Sequence, residues 1–331
     1  MILLTFLIMI LLFVFLVGLC VGSFLNVVIS RAFSNESIVL PRSKCPSCNT
    51  PLRWYHNIPV LSYLFLKGKC AFCKDLISFQ YPIVELITGI IFVAVFIHFG
   101  ITLNSLFILF FSSVFIILAA TDIREKVVFD FHTYGLIITG LIYNFFNVGN
   151  FYAGEKIITI ANFSIGINNS FIASVIGVIV GIIVMELFAN LGHLIAGTRA
   201  FGEGDTYIAA GLGAIFGWRY LITVLFYSFI IQVFLTLPVF LKKLYANKDY
   251  QTLIAFIAFL GVVLLMRWLD YMVLLNEMTV SLVFTIILCI LAVYLAARIL
   301  ISLKNKKAEE MTYLPFGPAM VIAGFLMFFF M

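Results

Sequence analysis

Three observations predict that this chain folds as an all-α polytopic membrane protein. Apolar residues make up 64% of the sequence and charged residues 11%, with a mean hydropathy of +1.18, a balance that no water-soluble domain can bury. Apolar stretches able to cross a hydrocarbon core recur along the chain, separated by short polar turns. The basic residues fall overwhelmingly on alternate turns, as they do when cytoplasmic loops retain Lys and Arg.

The apolar stretches lie at Leu3–Ile29, Ile83–Phe99, Leu103–Ala120, Thr133–Val148, Phe171–Ala196, Thr206–Gly217, Leu221–Leu241, Leu253–Leu265, Val280–Ile301 and Phe316–Met331, roughly ten transmembrane helices. The first has no basic residues ahead of it and no evident cleavage site behind it, so a retained helix is expected rather than a secretory signal. Thr206–Gly217 is short and Gly-rich, which fits a half-span or a tilted helix.

With the N-terminus outside, seventeen of the 20 Lys and Arg residues fall on cytoplasmic loops, and only Lys156, Arg219 and Arg267 fall on the other side. One missed crossing would scramble every later loop, so the bias also supports the count. The net charge of +5 is spread over these loops and makes no nucleic-acid footprint. The expected segments are a first helix (1–30), a cytoplasmic four-cysteine domain (31–82), a membrane core (83–241), a further apolar pair (242–303) and a last helix (304–331).

The segment 31–82 is the one sizeable polar piece, and it carries Cys45-Pro46-Ser47-Cys48 and Cys70-Ala71-Phe72-Cys73, two Cys-x-x-Cys pairs with 21 residues between them. Each pair supplies two sulfurs at chelating reach, and the loop between returns the second pair to the first, as a tetrahedral zinc site needs. With all four positions filled by protein the metal is expected to be structural. A reduced, metal-free set is the alternative. Cys20 and Cys289 lie in apolar stretches and are expected to be small core residues.

Two acids stand where a long apolar segment meets a polar loop: Asp122 in Ala119-Ala120-Thr121-Asp122-Ile123-Arg124, and Asp205 in Gly202-Glu203-Gly204-Asp205. A carboxylate near hydrocarbon is costly unless neutralised or paired, which makes each a functional candidate. The charge bias places both on the cytoplasmic face, where two carboxylates can share a proton and perform acid/base chemistry. Gly202 and Gly204 are candidates for an active-site loop whose backbone approaches a substrate closely; an ordinary glycine turn is the alternative. Asp130 is the rival for Asp122 and a candidate supporting group beside it. Glu85 lies near the start of its span, where the helix dipole favours an acid. Glu186 reads as packing, Glu203 as a solvated charge or an attraction for a basic substrate, and the four histidines lack metal-ligand spacing.

Gly22-Ser23-Phe24-Leu25-Asn26-Val27-Val28, Ser43-Lys44-Cys45-Pro46-Ser47-Cys48, Asn57-Ile58-Pro59-Val60-Leu61-Ser62-Tyr63, Tyr81-Pro82-Ile83-Val84-Glu85-Leu86, the Gly-x-Gly-Asp ending at Asp205, and Pro315-Phe316-Gly317-Pro318 together resemble the bacterial prepilin peptidases. The resemblance implies an aspartic membrane protease of the bacterial inner membrane. It would cleave, at the cytoplasmic face, the short basic leader of type IV pilin-like or type II secretion pseudopilin precursors. It implies catalytic roles for Asp122 and Asp205. It implies that the new amino terminus is also N-methylated with S-adenosylmethionine, and retention of all four cysteines supports this. No Gly-rich dinucleotide-type fingerprint follows a strand pattern, so the cofactor is expected at the cysteine-bearing loop and adjoining helix ends, with Gly22, Asn26, Asn57 and Glu85 as candidate contacts. An apolar helix in the precursor would partition into the bilayer and hold its scissile bond at the depth of the two aspartates.

The chain departs from the family pattern in two places. Thr206-Tyr207-Ile208 stands where relatives carry an aromatic or basic residue and then Lys-Leu. Against a family core of eight helices, two apolar segments between Lys248 and Leu303 look inserted, an even number that returns the last motif to the same face. Two other classes compete. A presenilin-like protease shares Gly-x-Gly-Asp but pairs it with Tyr-Asp, whereas Thr121 precedes Asp122 here. A non-enzymatic transporter or scaffold would place its acids near mid-membrane rather than at helix ends.

Overall fold

The computed structural model describes residues 2–33, 42–146, 169–196, 201–246 and 315–330, with isolated positions outside those runs. Among the described residues every regular element is helical: α1 (Ile2–Ala32), a 3-10 turn (Trp54–Asn57), α2 (Leu61–Phe65), α3 (Gln80–Phe99), α4 (Leu103–Glu125), α5 (Asp130–Phe145), α6 (Asn169–Ala196), α7 (Glu203–Ala246) and α8 (Gly317–Phe330). Five helical segments, Thr5–Ala32, Gln80–Phe99, Leu103–Glu125, Ser170–Leu191 and Glu203–Lys242, are long and apolar enough to cross a membrane, and α8 is a shorter apolar helix. The chain forms two compact units, Met1–Ile231 with Pro315–Met331, and Gln232–Leu314. Both aspartates and all four candidate metal ligands lie in the first.

The helices begin and end where local chemistry allows. Pro82 is tolerated because it falls in the first turn of α3, where its missing N–H has no partner to lose. Thr102 and Ser105 form a reciprocal capping box that opens α4. α5 starts at Asp130, ahead of the apolar stretch expected from Thr133, because an acid in the first turn favours the helix start.

The expected stretches Thr206–Gly217 and Leu221–Leu241 are two successive helices, the two arms of α7, separated by a bend where Gly217 adopts φ 71° and ψ 171°. Only glycine accepts that backbone without strain. The bend removes the carbonyls just ahead of it from a regular ladder, which is costly away from water. Asn144 of α5 makes up the loss by donating to the carbonyls of Ala214 at 2.8 Å and Ile215 at 2.7 Å, and the Ser174 hydroxyl of α6 also donates to Ala214. α6 and α7 meet backbone to backbone at Gly177 and Gly213, where no side chain fits.

The core is built by α4, α5, α6, the first arm of α7 and α8, through Phe111, Phe115, Leu136, Met185, Leu212, Phe216 and Phe328. Outward faces carry exposed Phe13, Ile90, Leu106 and Ile183, as helices facing lipid do. Cys20 is a correction: it lies exposed on α1 rather than in the core, because α1 packs its other face on α3. The stretches Leu253–Leu265 and Val280–Ile301, and Cys289, lie outside the described residues as elements.

Candidate functional site

Asp122 stands in the last turn of α4 and is 5% exposed. The helix stops just beyond it because Lys126 takes a left-handed C-cap, φ 56°, and donates its N–H to the Asp122 carbonyl at 2.9 Å. Asp205 occupies the first turn of α7, and its Oδ2 accepts the Gly202 backbone N–H at 3.2 Å. The two acids thus come from opposite ends of two different helices and lie within electrostatic reach of one another. Asp122 Oδ2 is buried and meets no hydrogen-bond donor at bonding geometry among the described residues; the Gly317 backbone N–H approaches the same carboxylate. A buried acceptor without a protein partner is rare and calls for an explanation.

The glycines of the loop differ in role. A Cβ on Gly204 would come 2.6 Å from Cβ of Val128, so this glycine lets the first turn of α7 press on the link between α4 and α5. A Cβ on Gly202 would meet only Asp205 Oδ2 at 3.9 Å and Gly204 N at 4.0 Å. Neither has a positive φ, so close approach rather than backbone freedom is what Gly204 supplies. Asp130 is exposed at the start of α5. Two neighbours of Asp205 were missed as site residues from sequence. Thr206, buried, donates its hydroxyl to Glu186 Oε1 of α6 at a long 3.4 Å. Tyr207 sets its ring edge-on to Tyr134 of α5 at 5.6 Å.

The four cysteines come together. Their ligand atoms all lie within 4.8 Å of one another, with Cys45 Sγ and Cys73 Sγ 3.9 Å apart. A tetrahedral zinc with bonds of ~2.3 Å needs sulfurs ~3.8 Å apart, so the set fits a four-thiolate ion. The sequence builds the same knuckle twice. In the first, Cys45 N donates to Thr50 O, Asn49 N to Cys45 O and Leu52 N to Ser43 O; in the second, Cys70 N donates to Asp75 O, Lys74 N to Cys70 O and Ile77 N to Gly68 O. Asn49 and Lys74, equivalent in the two, both take positive φ, 54° and 64°. Ser47 donates its hydroxyl to the Asp75 carboxylate and ties the knuckles together, holding that carboxyl below its ordinary range. Hydrogen bonds from the Thr50 side chain and backbone lower the Cys48 thiol to about 6, whereas burial and the neighbouring thiols push Cys73 up to about 12.

Gly22, Asn26 and Glu85 meet where α1 crosses α3. A Cβ on Gly22 would come 2.7 Å from the Glu85 Cα. Asn26 Nδ2 donates to the Tyr81 carbonyl at 3.0 Å, and Glu85 Oε2 accepts the Val60 backbone N–H at 2.8 Å. Asn57, the last residue of the 3-10 turn, is exposed. Asn26 and Glu85 thus each commit one side-chain atom to the protein's own backbone, and Gly22 lets α1 and α3 approach closely beside them.

This fold and site define a polytopic helical membrane protein with a carboxylate pair at two helix ends and a four-thiolate domain. Residues 108–237 match the type IV leader peptidase family and residues 16–99 the bacterial peptidase A24 N-terminal domain. The chain is 38% identical over 216 residues to the prepilin leader peptidase/N-methyltransferase of Myxococcus xanthus, a match covering 65% of this chain and 59% of that protein. It is 33% identical over 241 residues to the protein of that name from Neisseria gonorrhoeae, covering 65% and 77%. With that from Bacillus subtilis it shares 34% over 217 residues, covering 66% and 78%. No solved structure matches the chain. The chain belongs to the type IV leader peptidase family.

Proposed function

We infer that this protein is a prepilin leader peptidase that also N-methylates the amino terminus it exposes. Asp122 and Asp205 are the catalytic pair in this reading: one carboxylate, as the anion, takes a proton from water while its protonated partner polarises the scissile carbonyl. The observation that carries it is the approach of two acids from different helices, one with a buried oxygen that meets no donor at bonding geometry among the described residues. Substrates are precursors of type IV pilins or type II pseudopilins, presented by their own apolar helix at the cytoplasmic face of the inner membrane.

The wider architecture belongs to the same proposal: about ten crossings, of which a pair within residues 242–303 is inserted, and zinc as the structural ion at Cys45, Cys48, Cys70 and Cys73. Zinc, when bound, clamps the two knuckles and leaves no open coordination position. S-adenosylmethionine, when bound, supplies the methyl group, with Gly22, Asn26, Asn57 and Glu85 as its candidate contacts; Asp130 is a candidate supporting group beside the aspartate pair. The test is cleavage of a pilin precursor by the purified native protein and by Asp122→Asn and Asp205→Asn. Each variant is expected to lose at least about a hundred-fold, and a variant that cuts at the native rate removes its residue from the pair. Mass measurement of the cleaved product with S-adenosylmethionine present reads methylation separately.

A further inference from the structure

The Pro315-Phe316-Gly317-Pro318 turn has no role in the chemistry above, yet it touches both aspartate-bearing segments. Gly317 opens α8, and a Cβ there would collide with Asp122 Oδ2 and come 3.2 Å from both the Asp122 Cγ and the Ile208 Cδ1. Its φ is not positive, so the backbone itself would accept alanine; what excludes a side chain is the carboxylate. The first turn of α8 has few N–H groups to spare. Those of Ala319 and Met320 go to the Phe316 carbonyl at 3.0 and 3.2 Å, and Pro318 has none. Gly317 keeps its N–H, which approaches Asp122.

Phe316 reaches the loop that precedes the other acid. It is 4% exposed, with its ring 5.1 Å from Phe201 and 5.0 Å from Phe229. Phe201 directly precedes Gly202, whose N–H is the donor to Asp205 Oδ2. Ile208, against Gly317, lies almost one turn beyond Asp205 on α7.

We propose that this turn is a positioning clamp for the aspartate pair, with Gly317 aligning Asp122 through its backbone N–H and Phe316 fixing the loop that orients Asp205. The clamp rests on the assignment of both aspartates to cleavage. Gly317 and Phe316 act through the carboxylates and do not touch the substrate. Displacing either carboxylate by a fraction of a bond length leaves precursor binding intact while the reacting geometry is lost.

The experiment compares full-length native protein with Gly317→Ala, Phe316→Leu and Gly324→Ala, using a full-length pilin precursor. Gly324 is a control in the same helix: its Cβ would press on Leu212 and Phe115 side chains and not on an aspartate. Gly317→Ala is expected to lower kcat about a hundred-fold with KM within about two-fold, and to leave methylation of a pre-cleaved pilin unchanged. Phe316→Leu, which keeps the core apolar, lowers kcat about ten-fold with the same KM pattern, and it decides alone if Gly317→Ala does not fold. Native kcat in both, or cleavage lost by Gly324→Ala in parallel with its melting temperature, overturns the clamp in favour of plain packing. Native cleavage by Asp122→Asn or Asp205→Asn instead overturns the pair on which it rests.

Discussion

Glu85 Oε2 accepts the backbone N–H of Val60 at 2.8 Å, and Val60 stands at φ 60° and ψ −49°. That is the rare γ-turn of positive φ, closed by the Leu61 N–H on the Pro59 carbonyl at 2.6 Å, and it is strained for a β-branched residue. Such a conformation persists only where the surroundings hold it, and a buried carboxylate on α3 is the holder. Glu85 therefore seats the cysteine-bearing segment on the α1–α3 crossing. Replacing Glu85 with Ala is expected to cost about 2 kcal/mol, seen as a lower melting temperature in detergent and faster tryptic cutting at Lys67, Lys69 and Lys74. An unchanged protease pattern would show that the segment is seated by something else. Val60→Gly, which relieves the strain but loosens the unfolded chain, should be near neutral.

The two knuckles predict one zinc per chain, bound by four thiolates. Cys45→Ser or Cys73→Ser should release it, as measured by elemental analysis of the purified protein. Because all four ligands are protein-supplied, zinc loss should open residues 42–78 to protease without abolishing cleavage by the aspartates. Full metal retention in both serine variants is incompatible with the four-thiolate site.

The parts of this architecture that were legible in the sequence are those where residue type alone is informative. Acids at the ends of apolar runs, and paired cysteines in a polar segment, are rare enough to stand out; the four thiols cluster as expected, and Asp122 and Asp205 lie within electrostatic reach of each other. Helix existence was legible because apolar runs are, and so was the break between Thr206–Gly217 and Leu221–Leu241, where Gly217 separates two such runs. The link between Gly317 and Asp122 was invisible because it joins segments remote in the chain through a backbone surface. Val60 was invisible for the opposite reason: nothing in a valine announces positive φ. Gly22, Asn26 and Glu85 do meet in space, where Asn26 bonds α1 to α3 and Glu85 bonds α3 to Val60.

Asp130 offers a direct discrimination within the acids. It is exposed at the surface start of α5, whereas Asp122 is buried against Gly317. General acid or base action contributes about a hundred- to ten-thousand-fold only from a group in reach of the reacting atoms. Asp130→Asn should therefore cut precursor within about three-fold of the native rate, the rest being loss of a favourable charge at a helix start. A hundred-fold loss in Asp130→Asn, with Asp122→Asn active, would exchange their roles.

The bend in α7 makes a prediction about stability that is independent of catalysis. Gly217 stands in backbone space closed to other residues, so Gly217→Ala forces either strain of about 1–3 kcal/mol or a straightened helix. Straightening would move the first arm, which carries Asp205, away from the packing it makes with α6 at Gly177 and Gly213. Asn144→Leu tests the same bend from the other side, since it keeps the volume but leaves the Ile215 carbonyl without its side-chain donor and Ala214 with only the Ser174 hydroxyl, at about 2 kcal/mol. The two variants act on one structural element, so their effects on melting temperature should be less than additive. If the losses instead sum, the Asn144 bonds are ordinary core contacts and the bend is held by packing alone.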